Sequence, residues 1–232
     1  MQTQIEHQPS FAWLKVQLEP GEVIQAEAGA MVTMTPGLPM ETRLNSGTGG
    51  VGRKIVAFFV ALVRKFLGGE TFFVNRFGGE GGGEVVLAPA LSGDIMRIAM
   101  TPNTPPLIIQ SGAYLASTGD IDTKLKWAGL RGLFGGEGLF FMECSGNGEL
   151  FLNSYGGIIE VACEGSYIVD TGHIVAFDAD LNFKVTTPGG GMLGFLGSGE
   201  GLVMEFKGQG RIWIQSRNLS ALVSWVSPML PT

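Results

Sequence analysis

Side chains that bind metals or perform covalent chemistry are scarce in this chain of 232 residues, which has 2 cysteines and 2 histidines. Neither Cys144 nor Cys163 belongs to a Cys-x-x-Cys pair or has a histidine at metal-ligand spacing. Isolated cysteines of this kind are typical of reduced, buried thiols, because free cysteine behaves as a small apolar side chain. The sequence therefore predicts no disulfide framework, no metal site and no cofactor.

An excess of basic charge is also missing, since 21 Asp and Glu residues outnumber 15 Lys and Arg residues and give a net charge of -6. Without a broad positive field, sequence-independent binding to nucleic acid is disfavoured. The amino terminus has neither the basic nor the apolar region of a secretory signal. We expect a cytoplasmic protein without a nucleic-acid partner, and the alternative of a peripheral location at the inner membrane depends on the helix and the family resemblance described below.

No catalytic set of side chains is recognisable. His7 and His173 are far apart in the sequence, and neither has a serine or cysteine partner at a familiar spacing. His173 follows a glycine in a strand-turn context, where we expect a structural histidine that makes a hydrogen bond. The chain is therefore predicted not to be an enzyme.

Glycine is abundant, with 37 residues, and 45% of the chain is hydrophobic. The glycines stand singly or in short clusters between apolar runs, which indicates many tight turns in an all-β protein with a sizeable core. Pro20-Gly21, between the apolar runs of 11–16 and 22–25, predicts a hairpin, because proline presets one turn position and glycine accepts positive φ at the next. The chain is predicted to begin as antiparallel sheet.

A short motif of a small residue, a glycine and another small or polar residue occurs three times, at 28–30, 111–113 and 171–173. A Gly-Glu element follows each copy, at 69–70, 136–137 and 199–200. Such self-similarity indicates an internal repeat. We predict a single domain of three similar antiparallel β lobes, formed by residues 11–100, 105–163 and 164–226.

Two strand-like runs separated by glycines close each repeat and predict three further hairpins. The paired runs are 71–74 with 85–87, 139–142 with 150–152, and 202–205 with 212–214. After the third hairpin, Asn218 precedes a short apolar run that Pro228 ends, which predicts a brief C-terminal helix.

Asp170-Thr171-Gly172 resembles the signature of aspartic proteases, but the same position of the other repeats holds Glu27 and Gln110. A local hydrogen bond from the side chain to the turn explains all three residues better than a shared catalytic proton. Similarly, Gly47–Gly52 fits the Gly-x-Gly-x-x-Gly fingerprint of dinucleotide-binding units, but its surroundings predict antiparallel strands. We interpret it as a flexible loop before a helix.

Residues 53–67 predict a helix inserted in the first repeat without a counterpart in the other two. The stretch 55–63 is apolar throughout and has basic residues at both ends, so this helix must be covered on all sides. Its length of about 22 Å is short of the roughly 30 Å that a membrane span needs. Burial in the core or a subunit interface, and shallow membrane insertion, remain the alternatives. The residues predicted to contact a membrane or partner are Arg53, Lys54, Phe58, Phe59, Leu62, Arg64 and Lys65.

Several ordered motifs along nearly the whole chain resemble a widespread bacterial family of unknown function, whose mitochondrial relatives are called altered-inheritance-of-mitochondria protein twenty-four. The matching motifs are Ala26–Val32, Met40–Arg43, Leu67–Glu70, Val169–Phe177 and Ile214–Arg217. The resemblance implies a fold like that of the tryptophan RNA-binding attenuator protein, a short double-stranded β-helix. It also implies a pseudo-threefold ring of the three units in each chain and assembly of the chains into homotrimers.

No enzymatic activity is established for that family, and its mitochondrial members are linked to inner-membrane organisation. We therefore expect a non-enzymatic scaffold or interaction protein that forms a homo-oligomeric β ring and contacts a membrane surface or a protein partner. The alternative is a small-ligand-binding protein or enzyme with a site between lobes, near Arg43, Asp170, His173 or Arg217.

Overall fold

The computed structural model describes residues 1–44, 73–126, 141–187 and 202–230. All the strand pairs in these residues are antiparallel, which confirms the all-β prediction, and the predicted C-terminal helix is present as α1 (Leu219–Val226). The first half of the chain contains β1 (Gln2–Glu6), β2 (Trp13–Leu18), β3 (Val23–Glu27), β4 (Met31–Met34), β5 (Met40–Leu44), β6 (Phe73–Gly78), β7 (Gly83–Leu87) and β8 (Ile95–Met100). The second half contains β9 (Leu107–Gln110), β10 (Tyr114–Thr118), β11 (Asp120–Lys126), β12 (Phe141–Asn153), β13 (Ile158–Asp170), β14 (Ile174–Asp178), β15 (Asn182–Thr186) and β16 (Val203–Gln215).

One pairing scheme occurs in three stretches of the chain. In residues 13–87, β2 and β4 pair with β7, while β3 and β5 pair with β6. In residues 95–153, β8 and β10 pair with the second half of β12, while β9 and β11 pair with its first half. In residues 158–215, β16 takes the place of β12, and the two halves of β13 take the places of β8 and β9.

The third strand of each stretch, namely β4, β10 and β14, contains a register shift near its start. A short turn precedes β10 and β14, formed by Ser111–Ala113 and Thr171–His173. These turns are two of the three small-Gly motifs seen in the sequence. The third motif precedes β4, where Gly29 has a φ of 95°. Each motif therefore connects the second strand of its stretch to the third.

The three glycine-rich hairpins predicted from the sequence are not hairpins. β12 and β16 run unbroken through the predicted tips, and β6 and β7 pair with other strands but not with each other. Gly146 and Gly208 lie inside these long strands with φ of 127° and 124°, a conformation that favours glycine. Glycine at these positions permits the strand to bend. The two halves of β12 pair with different strands, whereas in β16 only β15 and β14 are confined to one half and β13 pairs with both. The hairpin prediction was wrong because a glycine cluster permits a bend as readily as a reversal.

Pro20-Gly21 forms the predicted turn, and Gly21 has a φ of 91°. The flanking strands β2 and β3 nevertheless do not pair, since β2 lies between β1 and β7 while β3 lies between β6 and β10. This turn carries the chain from a four-stranded sheet to a larger sheet. The predicted hairpin was therefore wrong, although the turn itself was right.

Two further strand pairs join the three stretches side by side. β10 pairs with β3, and β14 pairs with β9, so that strands from neighbouring stretches share one twelve-stranded sheet. Buried side chains alternate along β2, where Leu14, Val16 and Leu18 point inward. Three clusters of buried apolar residues form the core, and burying each large side chain contributes about 1.5–3 kcal/mol.

The predicted helix at 53–67, the loop at 47–52 and the three Gly-Glu elements lie outside the described residues. The predicted boundary between the second and third repeats, at residues 163 and 164, falls inside the continuous strand β13.

Candidate functional site

The four residues predicted to line a ligand site do not come together. Arg43 lies on β5, at the opposite end of the twelve-stranded sheet from β13, and forms an exposed ion pair with Glu41 at 2.8 Å. Asp170 and His173 flank the short turn after β13, and Arg217 follows β16. Bonds from Asn218 to Asp170 and from His173 to Gln215 bring the segment around Arg217 close to this turn, whereas Arg43 is far from it.

Asp170 is a turn and helix anchor. One of its carboxylate oxygens, Oδ1, accepts hydrogen bonds from the amide of Gly172 at 2.8 Å and from Nδ2 of Asn218 at 3.2 Å. The predicted local bond at this position is confirmed for Asp170, while the matching residue Gln110 caps its turn with no side-chain bond. With both partners inside the chain, the Asp170 carboxylate has a structural role.

His173 and Gln215 hold the same turn against β16. The His173 Nδ1 atom lies 2.7 Å from the backbone oxygen of Gln215 and must carry the proton, because a carbonyl oxygen can only accept. The Gln215 side chain donates to the Gly172 oxygen at 2.9 Å and accepts from the Tyr155 amide at 2.8 Å. His173 is therefore a hydrogen-bonded structural histidine, as predicted.

Neither cysteine is a reactive site. Cys144 and Cys163 are free and buried, as predicted, and burial raises the pKa of the Cys144 thiol to about 12. A thiol in this state supplies almost no thiolate for nucleophilic attack near neutral pH. Within the described parts of the chain, no group of three or more His, Cys, Asp or Glu residues could hold a metal ion.

The edge of β4 differs from the two strands that hold the same place in the pairing scheme. β10 and β14 are hydrogen-bonded on both sides, and nearly all their residues are buried. β4 pairs with β7 alone among the described strands, and most of its residues are exposed. Val32 is 47% exposed, whereas Leu115 and Val175 at the same position are fully buried.

The second half of β13 is the other unmatched edge. β3 and β9 hold the same place in the scheme, and their outer sides pair with β10 and β14. Of the strands that the structure describes, none pairs with the outer side of β13. Ile168 on this edge is 62% exposed, whereas its counterpart Ile108 on β9 is buried.

The open edges of β4 and β13 each have a residue whose backbone N–H and C=O groups point away from the sheet. Thr35 donates its amide to a carbonyl of β7 at 2.9 Å, and Thr171 donates to the carbonyl just before β16 at 2.9 Å. Alternate residues of an antiparallel strand face opposite neighbours. Met34 and Ile168 therefore direct their N–H and C=O groups away from their own sheets. An unpaired edge with exposed apolar side chains is a template for pairing with another strand.

Sequence reasoning did not find these two edges. The signal was the threefold motif, because three stretches joined in a row leave one strand without a neighbour at each end, and among the described strands these are β4 and β13. The residues predicted to contact a membrane or a partner, namely Arg53, Lys54, Phe58, Phe59, Leu62, Arg64 and Lys65, lie outside the described residues, so that contact stays a prediction. No helix in the described residues has the length and apolar character to cross a membrane.

Comparisons with known proteins agree with one another. A family model described as mitochondrial biogenesis AIM24 matches residues 3–217. An uncharacterized protein from Streptococcus pyogenes serotype M6 is 31% identical over 235 residues, which cover 100% of this chain and 92% of that protein. A crystal structure of a Streptococcus pyogenes protein from structural genomics superimposes with a TM-score of 0.78 at 30% identity, covering 99% of both chains.

Proposed function

This chain belongs to the family described as mitochondrial biogenesis AIM24, and we propose that it is a non-enzymatic scaffold or interaction protein that assembles into a homo-oligomeric β ring. In this proposal each chain contributes three β lobes, formed by residues 13–87, 95–153 and 158–215. The shared pairing scheme supports the three lobes. The pairs of β10 with β3 and of β14 with β9 support their arrangement in a row.

The observation that carries the proposal is the pair of unlike, unpaired edges at the two ends of this row. β4 has the place of β10 and β14, and the second half of β13 has the place of β3 and β9. The edge at one end is therefore the partner that the edge at the other end lacks. Because the two edges differ, copies would join head to tail, a contact that generates a closed ring when the rotation between copies allows it.

The internal junctions predict the register of the contact between copies. Where lobes meet inside the chain, Ala176 lies opposite Ile109, and Phe177 lies opposite Ile108. Transferred to the open edges, this register places Thr33 opposite Val169 of the next copy, Met34 opposite Ile168 and Thr35 opposite Tyr167. Main-chain hydrogen bonds would supply affinity, and the apolar side chains that are now exposed would become buried.

Within the described residues, the predicted ligand residues form no shared polar cluster, which favours a scaffold over the ligand-binding alternative. Asp170 and His173 are occupied by bonds to their own chain, and Arg43 pairs with Glu41. By contrast, the two edges expose apolar side chains and unpaired backbone groups, which have the chemistry of strand addition.

The test is the mass of the intact chain and of one edge variant, measured by native mass spectrometry and sedimentation velocity. We expect the wild type to be the homotrimer implied by the sequence resemblance. Ile168→Glu would place an unpaired charge in the contact and give monomers that keep the wild-type circular dichroism spectrum. The matched control is Ile159→Glu, because Ile159 lies on the other half of the same strand and is 51% exposed.

The proposal fails if the wild type is monomeric at every accessible concentration. It fails equally if Ile168→Glu assembles as tightly as Ile159→Glu, since the contact would then lie elsewhere.

A further inference from the structure

We infer that α1 and the residues after it, to Leu230, are part of the contact between copies and pack on the first lobe of the next chain. This inference rests on the proposed ring and adds a second element to its interface. We name the stretch 219–230 the C-terminal clasp.

The C-terminal clasp is apolar, and its residues are largely exposed in the part of the chain that the structure describes. α1 has no buried residue, and Trp225 is 65% exposed. The other large apolar side chains exposed in the clasp are Leu219, Val223, Met229 and Leu230. No residue from 219 to 230 is charged. So many exposed apolar side chains in one short segment are typical of a surface that is covered by a partner.

The start of α1 is fixed beside the open edge of β13. Asn218 caps the helix by accepting from the amides of Ser220 and Ala221, and its Nδ2 donates to Asp170, the last residue of β13. A Cβ at Gly172 would overlap the Asn218 side chain, so a glycine at this position allows the contact. The clasp therefore begins at the end of the strand on which the next copy is proposed to dock.

The path of the chain at the internal junctions indicates which surface the clasp would cover. After β7 the chain continues into β8 of the second stretch, and after β12 it continues into β13 of the third. α1 follows β16 at the corresponding place, where the next unit would be the first lobe of another copy. That lobe exposes apolar side chains at Met31 and Val32 on β4, and Phe11, just before its first strand, is 73% exposed.

The composition of the clasp favours a second copy over an anionic lipid surface. Helices that lie on such membranes carry Lys and Arg on their polar face, whereas the clasp has serines there and no basic residue. An apolar surface of the next lobe, continuous with the proposed strand contact, matches this chemistry.

The experiment compares Trp225→Ala and Val223→Ser with the control Ser224→Ala in the full-length chain. Sedimentation equilibrium over a dilution series gives the dissociation constant of the assembly for each variant. We expect both test variants to weaken assembly by about tenfold or more, because truncating a central apolar side chain has this effect at protein interfaces. Ser224→Ala should leave the constant within about twofold of wild type.

A second readout keeps the inference falsifiable if the strand contact dominates the affinity. Trp225 should shift its fluorescence emission to shorter wavelength on assembly, and the shift should vanish in Trp225→Phe, which keeps an aromatic ring at this position. The clasp inference would be wrong, and the proposed ring untouched, if Trp225→Ala and Val223→Ser assembled with the wild-type dissociation constant and the Trp225 emission did not change on dilution. A wild-type chain that stays monomeric would overturn both.

Discussion

At the residue scale, glycines with positive φ have two separable roles, one conformational and one spatial. Gly79 and Gly146 hold similar φ, 119° and 127°, but their surroundings differ. A Cβ at Gly79 would meet nothing within 4 Å, whereas a Cβ at Gly146 would overlap the backbone oxygen of Asp120. The first glycine is therefore explained by conformation alone, and the second also by the close approach of β11.

This contrast predicts different costs for the same substitution. Gly79→Ala should lower the free energy of unfolding by about 1–3 kcal/mol, the strain of placing a side chain at positive φ. Gly146→Ala should lower it by a further 1–3 kcal/mol or so, because the backbone must shift to relieve the overlap. Urea denaturation of both variants measures the difference. Equal losses would show that the close approach of Asp120 contributes nothing.

The cysteines give a second prediction at this scale. Ellman's reagent at pH 8 should label neither thiol of the folded protein within minutes, because both are buried and the pKa of Cys144 is raised to about 12. Unfolding in guanidinium should release both thiols for reaction. A fast reaction of one thiol in the native protein would contradict the burial described for that residue.

Residue roles that depend on local chemistry could be predicted from the sequence, and roles that depend on neighbours could not. The Asp170 turn bond follows from residues 170–172 and is confirmed. The structural role of His173 is also confirmed, but its partner Gln215 lies 42 residues away and could not be named from the sequence. The exposed state of Ile168 could not be predicted, because its counterpart Ile108 has the same side chain and is buried. Only the presence or absence of an adjacent strand separates the two residues.

At the element scale, the strands were predicted more accurately than their pairing. The sequence located apolar runs on both sides of each glycine cluster, but it could not say whether the chain reverses or bends between them. β12 and β16 bend, and each half then pairs with strands from other parts of its stretch. Pairing of this kind depends on contacts between residues far apart in sequence, which a local turn signal does not report.

The direction of the Ile168 amide predicts that proline at this position separates folding from assembly. Ile168→Pro removes an N–H that faces away from β16, so the hydrogen bonds between β13 and β16 are kept. We expect a folded chain, with a melting temperature within a few degrees of monomeric Ile168→Glu, that no longer assembles. Thermal melts and sedimentation velocity measure the two properties.

Val169→Pro is the matched control, because the amide of Val169, the next residue along the strand, faces β16. It should destabilise the chain itself by about 3 kcal/mol or more, by analogy with proline inside regular structure. If the two variants unfold alike, the assigned amide direction at the edge is wrong.

At the scale of the whole molecule, composition and repetition predicted an antiparallel all-β protein, and the fold agrees. The arrangement of the three stretches was harder to predict, because a ring of three and an open row of three have the same sequence periodicity. The difference lies only in whether β4 meets β13 of the same chain, and these strands do not pair in the described structure.

A disulfide between the two edges distinguishes closure within a chain from closure between chains. In the proposed register Met34 and Ile168 form a hydrogen-bonded pair, whose Cα separation of about 5.5 Å suits a disulfide. The double variant Met34→Cys, Ile168→Cys should therefore oxidise to a covalent trimer on a non-reducing denaturing gel. The native Cys144 and Cys163 are buried and should not contribute to the links.

Each single variant should run as a monomer on this gel, because head-to-tail contacts do not place identical residues opposite each other. A covalent dimer of Ile168→Cys alone would indicate a face-to-face contact, and an intrachain disulfide in the double variant would show that each chain closes its own ring.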